Sequence, residues 1–86
     1  MNLFFIEHAR ERMSQRGATE EEVLRVLNKG VEVKAKKGRK AKELVFDYNR
    51  EWLGNFYPQK KIVVIFVEEN SEIVVITVKV YYGNWR

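Results

Sequence analysis

The chain has no cysteine, one proline and one histidine among its 86 residues. Without cysteine, disulfides and thiolate zinc sites are excluded. A single histidine leaves too few ligands for a conventional zinc centre. There is no glycine-rich phosphate loop, nucleophile elbow, pair of His ligands or calcium loop. That argues against nucleotide hydrolysis, serine-hydrolase chemistry and metalloprotease chemistry, and nothing calls for a metal or an organic cofactor. The longest strongly apolar run, residues 62–67, is far short of the roughly 20 residues a membrane helix needs. The first residues carry no basic stretch and meet a charge at Glu7, so no signal peptide is expected and the reading is a cytoplasmic protein away from membranes.

What is present describes one globular domain over residues 1–86. Hydrophobic residues make up 45% and charged residues 33%, enough apolar surface for one modest core. Sixteen Lys plus Arg against twelve Asp plus Glu give a net charge of +4, a mild bias toward polyanionic partners.

The first third predicts two short helices. On a helical wheel Phe5, Ile6, Ala9 and Met13 share one side. His8, Arg12 and Gln15 lie along its border, and Arg16 falls nearer the middle of the stripe. Gly17 is a natural helix terminator. Thr19 with Glu22 forms a capping box for a second helix, whose first turn carries Glu20 to Glu22 and which closes at Gly30.

Beyond Gly30 the pattern is sheet. Alternation predicts strands at residues 31–35 and 43–48, joined by a turn at 37–40. Residues 52–57 read as a continuation or an edge segment that Pro58 ends. Residues 61–68 and 72–82 complete the set. In the last strand Val74, Ile76, Val78, Val80 and Tyr82 form one expected apolar face. The expected fold is α+β: two N-terminal helices packed on a mostly antiparallel four-stranded sheet, in the order α-α-β-β-β-β.

Three groups of residues are candidates for chemistry. His8 and Arg12, four apart on a helix, could supply a proton-transfer group and a phosphate clamp for RNA cleavage; the plain alternative is a packed neutral ring and an arginine stem over apolar surface. Lys36, Lys37, Arg39 and Lys40, flanked by Lys34 and Lys42, would neutralise several RNA phosphates, or simply keep an edge strand from pairing. At the carboxyl end, Thr77, Lys79, Tyr81, Tyr82, Trp85 and Arg86 could stack a base and hold its phosphate, or pack internally.

His8-Ala9-Arg10-Glu11-Arg12-Met13, followed by Arg16-Gly17-Ala18-Thr19 and Glu21-Glu22-Val23, closely resembles the opening of the family called domain of unknown function 4258. A strand resembling residues 74–78 completes the pattern. That family resembles in turn the RelE-type and BrnT-type toxins and the ribonuclease fold of barnase and certain colicins. The resemblance implies a metal-independent endoribonuclease paired with an antitoxin. His8 and Arg12 would be its helix-borne catalytic residues, with Lys79 and Tyr81 auxiliary, and Arg16 and Thr77 further motif positions. Ala18 stands where isoleucine is usual, and residues 79–86 run past the family's usual end. A non-catalytic RNA- or protein-binding module is the alternative, and a small structural or homodimerising domain is the third reading.

Overall fold

The structure, a computed structural model, describes residues 2–85. In chain order it contains β1 (Asn2–Phe5), α1 (Glu7–Arg16), α2 (Glu20–Lys29), β2 (Val31–Val33), β3 (Lys40–Trp52), β4 (Asn55–Glu69) and β5 (Glu72–Gly83). The strands form one five-stranded sheet in the order β1-β5-β4-β3-β2. The fold is α+β, with both helices packed on one sheet face. No helix among the described residues is long and apolar enough to cross a membrane.

The sheet has five strands and is mixed, where four mostly antiparallel strands were expected. The additional strand is β1, which pairs in parallel with β5 from Asn2↔Glu72 to Phe5↔Val75. The helical wheel placed Phe5 and Ile6 inside the first helix. A short continuous apolar run such as Leu3 to Ile6, however, fits a strand as well as a helix, and only the distant partner decides. Leu3 and Phe5 pack against the core, while Phe4 on the opposite face is half-exposed.

Two irregularities revise the strand assignments. Pro58 lies within β4 rather than ending the sheet. The β3–β4 register shifts between Asp47 and Arg50, where Asn49 has φ +49°, and β5 pairs with β4 only from Gln59 onward. Pro58 therefore sits where no ladder bond needs its missing N–H. In β5, Ile65 pairs with Thr77 and Phe66 with Val75, leaving Ile76 as an extra bulged residue. The bulge exchanges the faces on one side of it. Ile73 and Val75, not Val74 and Ile76, share the helix-covered face with Val78, Val80 and Tyr82. Strand β2 is also short, so residues 34–39 form a loop.

Helix α2 forms where local chemistry directs it. The Thr19 hydroxyl accepts the Glu22 N–H at 3.1 Å, and the Glu22 carboxylate accepts the Thr19 N–H at 3.0 Å. Its buried Val23, Val26 and Leu27 meet Ala9, Met13, Ile62, Val64, Phe66, Val75 and Val78 in a single core.

The junction between the helices is fixed from below by the sheet. Gly17 is left-handed (φ +78°), and its N–H and that of Ala18 both donate to the Met13 carbonyl at 2.9 Å. The Tyr82 hydroxyl donates to the Arg16 carbonyl at 2.7 Å, and the Lys60 ammonium donates to the Gly17 carbonyl at 2.8 Å. Arg16 reaches back to the Val78 carbonyl at 2.8 Å. A Cβ at Gly17 would stand 2.7 Å from the Tyr82 hydroxyl and 3.0 Å from the Trp52 ring. Gly38 has a similar φ of +71° but open space around it. The Gly17→Ala variant is therefore expected to lose about 2–4 kcal/mol of stability from conformation and overlap together, and Gly38→Ala about 1–2 kcal/mol from conformation alone. Urea denaturation of the two variants, side by side, measures the difference.

Candidate nucleic-acid interface

The period of two along each strand sorts the functional side chains between the two sheet faces. Lys60, Ile62, Val64 and Phe66 face the helices and are buried. Their neighbours Lys61, Val63 and Ile65 face the other way. Across the ladder these meet Tyr81, Lys79 and Thr77 of β5, and Val63 and Ile65 also meet Glu43 and Ala41 of β3.

Residues 34–39 border this second face. Lys37 (φ 60°) and Gly38 (φ 71°) turn the loop back, and the Arg39 N–H donates to the Lys36 carbonyl at 3.2 Å. The result is a depression of about 410 Å³ whose floor is Ala41, Val63 and Ile65. Its rim carries Lys34, Lys36, Lys37, Arg39 and Lys79, with Tyr81 at one side. Among the described residues its lining contains no carboxylate. Five cations around an apolar floor attract a polyanion and leave room for a flat apolar group.

Two lysines of the basic sequence cluster are directed elsewhere, because alternation turns them to the helix side. Lys40 pairs with Glu68 at 2.8 Å. The hydrogen bond with Glu68 raises the Lys40 pKa and lowers that of Glu68. Lys42 donates to the Leu27 carbonyl at 2.9 Å and so ties α2 to the sheet. Lys36, Lys37 and Arg39 thus stand together in the depression, and Lys40 does not.

The helix-borne candidates are in another layer. His8 is exposed in the first turn of α1. Arg12 is half-buried and donates to the Gln15 side chain at 2.9 Å. Neither lines the depression that Lys79 and Tyr81 line. The α1 residue that approaches those two is Arg16, which shares a smaller hollow of about 350 Å³ with Lys79, Val80 and Tyr81. Thr77 is half-buried on the Lys79 face, opposite Ile65.

A larger depression, about 640 Å³, lies on the helix side between the α1–α2 junction and the long β3 strand. Its innermost charge is already engaged: the Lys60 ammonium lies 2.9 Å from the Glu22 carboxylate as well as bonding Gly17. Tyr48, Trp52 and Tyr57 gather around Tyr82, with the Trp52 and Tyr82 rings stacked at 4.9 Å. Sequence reasoning passed over Lys60, since nothing local distinguishes it from Lys61; only the register places one inside and the other outside. No group of three His, Cys, Asp or Glu side chains that could hold a metal is present among the described residues.

The chain belongs to the family described as Domain of unknown function (DUF4258), whose pattern matches residues 5–80. No curated protein and no solved structure matches it. Tyr81, Tyr82 and Trp85 lie beyond the matched stretch, and Arg86 lies outside the described residues.

The helix-side cluster makes a prediction about alkaline pH. Burial, and after it the neighbouring Tyr48 and Glu22, push the Tyr82 pKa from 10.0 up to about 12. Ionisation is easier in the unfolded chain, so the stabilising contribution of the neutral phenol is complete below pH 10 and lost as pH rises through about 12. Absorbance at 295 nm is expected to show Tyr82 ionising late, together with the onset of unfolding. Tyr82→Phe should remove that late step and flatten the dependence of the urea midpoint on pH above 10.

Proposed function

We propose that the domain binds RNA through the sheet face opposite its helices. The observation that carries this reading is the convergence of Lys34, Lys36, Lys37, Arg39 and Lys79 on one depression whose lining holds no carboxylate among the described residues. Such a surface gains affinity by displacing counterions from phosphates. RNA is the polyanion chosen because the opening block, from His8 to Val23, resembles that of the domain of unknown function 4258 family, which we read in turn as related to small RNA-cutting toxins.

Cleavage of the bound strand is the second reading, favoured by the hollow in which Arg16 meets Lys79 and Tyr81. A cation and a phenol at a bound phosphate can stabilise developing charge and exchange a proton. His8 and Arg12, on the same helix as Arg16, would act there only by approaching around the sheet edge.

If all five cations engage phosphates, affinity for RNA falls about a hundredfold between 50 and 200 mM salt. The Lys36→Ala, Lys37→Ala, Arg39→Ala triple variant should bind much more weakly, with its logarithmic salt slope reduced by about 2. His8→Ala should bind like the unaltered protein. Fluorescence anisotropy across a salt series checks all three, and equal affinity of the triple variant and the parent would sink the proposal. Gel analysis of the same mixtures reads the second reading: it requires product from the parent and less from Lys79→Ala and Tyr81→Phe.

A further inference from the structure

The basic face does not stop at Tyr81. Beyond β5 the Trp85 backbone N–H donates to the Gln59 side-chain oxygen at 2.7 Å, with Gln59 itself buried. The indole lies against Gly83, where an added Cβ would stand 3.3 Å from its ring. Lys61, opposite Tyr81 in the ladder, places its ammonium 5.5 Å from the centre of each ring, Tyr81 and Trp85 alike. Glu43 lies 4.0 Å from the same ammonium.

Both rings are held, yet neither is hidden: Tyr81 is 48% and Trp85 41% exposed. Rings recruited only for packing would cover more of their surface. Here two aromatic side chains flank a cation, with Lys79 two residues before Tyr81 on β5, about 7 Å along the strand. Aromatic faces beside cations are the components with which proteins hold unpaired nucleotides, since every base has a π face and every nucleotide a phosphate.

We propose that Tyr81 and Trp85, with Lys61 between them, form a stacking site for an unpaired base, so that this face takes single-stranded rather than duplex RNA. The phosphates on one side of that base lie along Lys79 toward residues 34–39. A duplex keeps its base faces inside the stack and offers only its backbone and a shallow groove, so it engages the lysines without the rings. This inference rests on the RNA-binding reading above and adds the class of strand.

The experiment uses the full chain. Trp52→Phe leaves Trp85 as the one indole, because the sequence has two tryptophans. An oligoadenylate is titrated against it at low salt, beside the same strand paired with oligouridylate, while anisotropy of labelled RNA reports binding independently. The single strand is expected to quench Trp85 fluorescence saturably, and the duplex to bind more weakly without quenching. In the otherwise unaltered chain, Tyr81→Ala and Trp85→Ala should each lower single-strand affinity by about 5-fold to 100-fold while leaving duplex affinity in place. Those two variants keep the test available should Trp52→Phe not fold. Single-strand binding without quenching, or insensitive to both variants, overturns the stacking site and leaves the RNA reading standing. Duplex affinity equal to or above single-strand affinity does the same. Absence of binding to either RNA overturns both.

Discussion

The carbonyls of Arg16 and Gly17 are the points on which this small fold depends. They end α1, where a helix leaves backbone acceptors without partners of its own. Here Tyr82 and Lys60, from two different strands, bond to them. Lys60 is 5% exposed, and a buried ammonium is tolerable only with a countercharge and filled hydrogen bonds. Glu22 supplies the charge, while the same carboxylate closes the capping box that starts α2. One side chain thus fixes the beginning of a helix and neutralises the residue that fixes the end of the previous one. Gly17 has to be glycine twice over, for its left-handed backbone and for the Tyr82 and Trp52 atoms beside it. Both helices are thereby anchored over one face of the sheet, and the exposed chemistry of the strands is left to the other.

Legibility in the sequence followed the range of the interaction. The boundaries of α2 could be read because Thr19, Glu22 and Gly30 act within a few residues of each other. So could the basic character of residues 34–39. Strand β1 could not, since its four residues become a strand only through pairing with residues about 70 positions later. Pro58 looked like an end because its missing N–H is a local fact, whereas the β3 bulge that makes the gap harmless is not. The bulge at Ile76 is of the same kind. It preserves apolar composition on both sides of β5 while changing which residues point at the helices, so alternation counted through it gives the wrong set.

The candidate site shows the same division. Helical spacing correctly places His8 and Arg12 on neighbouring turns, but carries no information about which face of the sheet the helix covers. Lys79 and Tyr81 lie on the face that it does not cover. Within the basic cluster, the parity of a strand position separates Lys40 and Lys42, turned to Glu68 and Leu27, from the lysines of the loop. Proximity in sequence brought them together; the pleat parts them.

Charge distribution connects the clamp to the proposed function. Residues 7–29, which hold both helices, contain five acidic side chains (Glu7, Glu11, Glu20, Glu21 and Glu22) and five basic ones (Arg10, Arg12, Arg16, Arg25 and Lys29). They cancel, so the net charge of +4 belongs to the rest of the chain. Acids are concentrated in the first turn of α2, where the helix dipole favours them and where Lys60 requires one. A surface charge is screened within about 8 Å at physiological ionic strength, comparable to the thickness of a packed layer at about 10 Å. The glutamates that secure the helices therefore do little to offset the cations across the sheet. The helix segment is thus balanced in charge, whereas the lining of the depression on the opposite face holds five cations and no carboxylate among the described residues. On that face Glu43 stands beside Lys61, outside the lining of the depression that Lys34, Lys36, Lys37, Arg39 and Lys79 surround.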